Sequence, residues 1–148
     1  MRSLKRGRHK NPQLLVFRDR DGYHEIDAAM VNERFQELVG EDFTVKDLRT
    51  WTATVHAAVD LAEAEPPSTK AALNAAVKDM FAEVSDRLGN TPAVARSSYV
   101  DPRVVEQYER GHTIAATVDR VGDDLGDEDA RAALERAVNK VLDQNSRD

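Results

Sequence analysis

A phenol and a guanidinium set the chemical reach of this chain. Tyr99 follows Ser97-Ser98 and precedes Asp101-Pro102, so it lies where one short helix ends and the next begins. A phenol can act as a nucleophile and form an ester that a freed hydroxyl can reverse. The polar Ser97 and Ser98 direct its ring toward solvent or a groove. Arg49 stands in Lys46-Asp47-Leu48-Arg49-Thr50-Trp51. A guanidinium keeps its charge and can donate two parallel hydrogen bonds to phosphate oxygens. From pattern alone each residue has a plainer account. Arg49 reads as a surface arginine on an amphipathic helix, and Tyr99 as a half-buried tyrosine with its hydroxyl tied to a backbone group. Asn90, beside Gly89, reads equally as a helix cap.

Other chemistries are poorly supplied. The chain has no cysteine, which excludes disulfides, thiolate metal sites and thiol nucleophiles. His9, His24, His56 and His112 are scattered with no helical pair, so no metal site is expected. There is no phosphate-binding glycine loop of the GxxxxGK[ST] type, and no cofactor is expected.

The elements that must position Tyr99 and Arg49 are mostly helices. Leu14 to Phe17 reads as a short strand, Asp21-Gly22 as a hairpin turn, and Tyr23 to Ile26 as the returning strand. Asp27 can cap a helix to Leu38 with Met30, Val31, Phe35 and Leu38 on one face, stopped by Gly40. Thr44 and Asp47 form a capping-box variant. The helix after them repeats apolar residues at Leu48, Trp51, Val55, Val59 and Ala62, with Arg49, Ala53, His56 and Asp60 off that stripe. Pro66-Pro67 ends it. Ser68 or Thr69 caps the next helix, whose buried face is Leu73, Val77, Met80, Phe81, Val84 and Leu88, and Gly89 fits its left-handed end. Thr91-Pro92 and Asp101-Pro102 are two further helix starts, and Gly111 ends the second. Tyr108 reads as core. A last helix is expected from about Asp127 to Leu142. The fold class is mainly α, with a small hairpin at its start.

The 148 residues suffice for one domain with a modest core. No apolar run approaches a membrane span, and Leu14 to Phe17 is too short for a signal peptide. No membrane association is expected, and the expected location is cytoplasmic, with the nucleoid. The net charge of −6 hides an uneven distribution. Arg2, Lys5, Arg6, Arg8, Lys10, Arg18 and Arg20 crowd one end, whereas Asp119, Asp123, Asp124, Asp127, Glu128 and Asp129 crowd the other. Local phosphate binding is compatible with that pattern, as is a solvated surface.

The Lys46–Trp51 segment and the Leu88–Pro102 segment together resemble the arginine and nucleophile motifs of type IB DNA topoisomerases, most closely the small bacterial and poxvirus-like ones. The resemblance covers most of residues 2 to 111. It implies the helical C-terminal part of the catalytic domain in the fold shared with tyrosine recombinases, here residues 1–113, followed by an acidic helical tail at 114–148. It implies Tyr99 as nucleophile toward double-stranded DNA, through a 3′-phosphotyrosyl intermediate, strand rotation and religation without ATP. It implies Arg49 as one of two catalytic arginines. Asn90 matches a position where poxviral enzymes carry histidine and bacterial relatives often asparagine; an amide can donate the same hydrogen bond but carries no charge. Lys46, Thr50 and Arg96 are the implied DNA contacts.

The family also uses an earlier arginine and a lysine general acid on a hairpin, both upstream of the matching segment. The resemblance therefore implies a missing N-terminal part as a partner of this chain. Arg18, Arg20 and Lys10 lie in the wrong segment to replace the lysine. Two alternatives follow. One is a non-catalytic DNA-binding or interaction remnant. The other is a tyrosine recombinase, which usually carries Arg-x-x-His, whereas Arg49 is followed by Thr50-Trp51-Thr52.

Overall fold

Seven helices and one hairpin make up residues 15–143, the part of the chain that the computed structural model describes. Residues through Val45 form one unit and those from Lys46 a second.

In the first unit, β1 (Val16–Arg18) and β2 (Tyr23–Glu25) pair antiparallel with Phe17 opposite His24. The two rings stack with centroids 5.0 Å apart. The Asp19 carboxylate closes the turn: it accepts from the backbone N–H groups of Asp21 and Gly22 and pairs with His24 Nε2 at 2.9 Å. His24 is thus a hairpin residue. Helix α1 (Ala28–Val39) is capped by Asp27, which accepts from the Met30 N–H. Its expected apolar face is not a core. Met30, Val31 and Leu38 all remain exposed, Leu38 by 68%. A hairpin of three-residue strands offers too little apolar surface to cover that face. Leu14, the irregular stretch 2–11 and the basic cluster from Arg2 to Lys10 lie outside the described residues.

The second unit is built around α2 (Val45–Glu63) and α3 (Lys70–Leu88). Thr69 caps α3 by accepting from the Ala72 N–H. The predicted face of α3 is borne out: Val77, Met80, Phe81 and Val84 are buried, with Leu73 and Leu88 packed beside them. Helix α2 departs from the single-stripe expectation. Leu48, on the stripe, is 51% exposed, whereas Ala53, off it, is fully buried together with Thr54, Ala57 and Leu61. The reason is central placement. Asp60 of α2 meets Arg87 of α3 on one side, and Thr54 meets the segment after Tyr99 on another. A helix contacted on several sides buries more than one stripe. Alanines at 53, 57 and 58 let its neighbours come close.

Short helices α4 (Pro92–Ser98) and α5 (Pro102–Glu109) follow, each with proline in its first turn. Tyr108 is buried as expected, its hydroxyl donating to the Glu65 carbonyl at 3.1 Å. Helix α6 (Ala115–Val121) escapes the sequence reading because its seven residues bury only Val118 and its start has no side-chain cap. Helix α7 (Glu128–Asp143) packs with α5 and α6 and adds Leu134, Val138 and Leu142 to the same core. Burying each such leucine contributes about 1.5–3 kcal/mol.

Candidate active site

Tyr99 occupies a corner whose backbone is held at every step. Thr91 caps α4 and Tyr99 ends it, the Tyr99 N–H donating to the Ala95 carbonyl at 3.1 Å. Val100 then drops into the core, 5% exposed, and the Asp101 carboxylate caps α5 by accepting from the Arg103 N–H. Arg103 also grips that carboxylate with its guanidinium, which holds the Asp101 carboxyl below its ordinary value. The Tyr99 ring is partly buried against the core edge.

Arg49 reaches this corner from α2. Its guanidinium lies over the Tyr99 ring, 5.2 Å from the centroid, and its Nη2 donates to the Leu88 carbonyl. That carbonyl is offered by the end of α3. Gly89 adopts φ +64°, the Gly89 N–H donates to Asp86 and the Asn90 N–H to Ser85 at 2.9 Å. This Schellman-type closure uses the preceding carbonyls and leaves that of Leu88 to the arginine. The same turn delivers Asn90 two residues further on. Its Nδ2 is buried and has no hydrogen-bond partner among the described residues. A buried donor left so costs about 1–3 kcal/mol.

The other sequence-predicted residues are more dispersed. Lys46 is exposed on α2, one turn before Arg49. Arg96 on α4 stacks over Phe81, 4.5 Å from the ring centroid. Thr50 lines a shallow groove of about 220 Å³ with Asp47, Asp101, Arg103 and Asp143. Sequence reading missed Thr54. It is 2% exposed, and its hydroxyl touches the backbone on both sides of Val100. The available signal was a hydroxyl residue flanked by Ala53 and Val55 in a helix interior, which the nearby Thr50 and Thr52 made hard to single out.

A larger open cleft, about 680 Å³, lies along α2 between His56, Asp60, Arg87, Asp123, Arg131 and Glu135. Arg87 donates both of its bonds there to Asp60, at 2.7 and 2.8 Å. Burial nevertheless raises the Asp60 carboxyl above its ordinary value, because its side chain is only 10% exposed. Burial, and then the Arg87 charge, pushes the His56 imidazole down. Glu63 is raised by burial and by neighbouring Asp123 and Asp60. The lining carries five carboxylates against two arginines, a surplus of negative charge. Among the described residues no group of three or more His, Asp or Glu is arranged to hold a metal ion, and no helix is long and apolar enough to cross a membrane.

The family model of the eukaryotic DNA topoisomerase I catalytic core matches residues 1–124. DNA topoisomerase 1B of Acanthamoeba polyphaga mimivirus is 28% identical over 97 residues, which cover 62% of this chain and 29% of that protein. The chain therefore spans less than a third of that relative's length.

Proposed function

Because this chain belongs to the type IB DNA topoisomerase catalytic-core family, we propose that it supplies the nucleophile and one stabilising arginine for ATP-independent DNA cleavage and religation. The Tyr99 oxygen gives up its phenolic proton to solvent and attacks a backbone phosphorus. The bond from phosphorus to the 5′-oxygen breaks, a 3′-phosphotyrosyl ester forms, and the leaving 5′-oxygen takes a proton. After strand rotation the 5′-hydroxyl attacks the ester and restores both the phosphodiester and the phenol. One ester replaces another, so no nucleotide is consumed.

The observation that carries this reading is the stacking of Arg49 on Tyr99 at 5.2 Å. It puts a permanent positive charge beside the ring that carries the attacking oxygen, on the side of the chain where negative charge would build on the phosphate oxygens. The Leu88 carbonyl that Arg49 now binds is a placeholder acceptor: a phosphate, fully charged, competes for the same donors. Asn90 adds an amide donor near the same turn. Lys46 and Arg96 are the stronger of the proposed backbone contacts. Thr50, in a groove with several carboxylates, has the weaker claim.

The test is covalent trapping on duplex DNA followed by peptide mapping. The reading expects the nucleotide on the peptide containing Tyr99. Nucleotide on a peptide containing Tyr23 or Tyr108 contradicts it.

A further inference from the structure

Thr54 sits where no catalytic role requires it, yet it ties the two halves of the site together. Its hydroxyl donates to the Thr50 carbonyl at 2.9 Å, a backward bond within α2 that fixes where the oxygen points. The oxygen then accepts from the Asp101 N–H at 3.1 Å and lies 3.4 Å from the Tyr99 carbonyl. The three-residue corner Tyr99-Val100-Asp101 is thus held at its last amide by one side chain. That side chain is 2% exposed, so water cannot substitute for it. Five residues separate Thr54 from Arg49, about 7.5 Å along the helix axis. One helix therefore carries both the arginine and the anchor of the corner that presents the phenol.

We infer that Thr54 is a positioning residue, setting the Tyr99 corner in register with Arg49 through its buried hydroxyl. The inference rests on the reading of Tyr99 as nucleophile. Thr54 touches no reacting atom. It acts by limiting how far the corner can shift relative to α2, and displacement of about 1 Å at a reacting centre can cost about 100-fold in rate.

The experiment compares the full chain with Thr54→Val, which keeps the shape and removes the hydroxyl, and Thr54→Ser, which keeps the hydroxyl. Each is incubated with a duplex carrying a 5′-bridging phosphorothiolate, whose leaving group needs little protonation. Duplex affinity and the rate of adduct formation are read separately. Thr54→Val is expected to bind duplex as the parent does and to form adduct about 10–100-fold more slowly. Thr54→Ser is expected to recover most of the rate. Amide hydrogen exchange gives a readout independent of DNA: Asp101 should lose protection in Thr54→Val while Val84 in the core keeps its own. Parent-like adduct rates in Thr54→Val, or unchanged Asp101 protection, overturn the inference. A parent chain that forms no adduct overturns the nucleophile reading, and the catalytic part of the inference with it; the Asp101 amide still decides whether the anchor exists.

Discussion

Arg49 and Tyr99, fifty residues apart in sequence, meet with the guanidinium over the ring, 5.2 Å from its centroid. The contact joins the helix that carries the charge to the corner that carries the phenol. Under the proposed function its fork exchanges the Leu88 carbonyl for phosphate oxygens when DNA binds.

Replacing Arg49 tests that exchange. Loss of a preorganised donor to a developing oxyanion typically costs about 10²–10³ in rate. Arg49→Ala is expected to slow adduct formation by that factor. Arg49→Lys should recover only part, because an ammonium cannot donate a parallel pair. Asn90→Ala should cost less than Arg49→Ala, since an amide contributes no charge. Single-turnover adduct kinetics rank the three variants.

Gly89 holds Leu88 and Asn90 in place from the left-handed region at φ +64°. No atom lies near an added Cβ, so Gly89→Ala meets backbone strain alone. It is expected to destabilise the protein by about 1–2 kcal/mol. Thermal unfolding should show a midpoint lowered by several degrees, without the larger loss, about 2–5 kcal/mol, expected when Leu134→Ala empties a fully buried core position.

How much of this was legible beforehand depended on whether one residue carried its own signal. Pro92 and Pro102 with Thr91 and Asp101 announced the two helix starts that bracket Tyr99, and Gly89 announced the end of α3. These are local signals set by φ and by caps, and the structure follows them. The resemblance carried by Lys46–Trp51 singled out Arg49, and its stacking partner is Tyr99. Tertiary crowding was not legible. The apolar stripe of α2 pointed to one buried face, and only the packed helix shows Ala53 and Thr54 buried on another. The same limit applies to α1, whose apolar face has the right period but no core to enter among the described residues. Helix α6 was too short and too weakly capped to be read from its sequence.

His56 gives a pH dependence with a definite sign. Burial and the Arg87 charge hold its folded-state value below the ordinary 6.5. As pH falls below about 6.5 the unfolded chain takes up this proton more readily than the folded one, so stability is lost toward lower pH. His56→Gln should flatten that part of the profile. Denaturant midpoints at pH 7.5 and pH 5.5 check it: the parent should lose more than the variant between them. Asp60, raised by burial, contributes in the opposite sense at lower pH and is common to both proteins.

Binding to duplex should depend on salt through a small number of contacts. If Arg49, Lys46 and Arg96 neutralise about three phosphates, the logarithmic salt slope is roughly −2.7, or about a 40-fold loss of affinity for a fourfold rise in salt. Lys46→Ala should reduce the slope by about one unit without changing which DNA sequences are bound. Fluorescence anisotropy of a labelled duplex at several salt concentrations measures both.

The central claim is that Tyr99 forms the bond to DNA, and adduct formation with paired substrates tests it most directly. The chain is mixed with ordinary duplex and with duplex bearing a 5′-bridging phosphorothiolate, beside Tyr99→Phe. An ordinary 5′-oxygen needs an acid to leave, whereas a 5′-thiolate does not. A general acid typically contributes about 10²–10⁴-fold. The account therefore predicts adduct on the thiolate substrate, far slower adduct on ordinary DNA, and none with Tyr99→Phe on either. Adduct that survives Tyr99→Phe contradicts it.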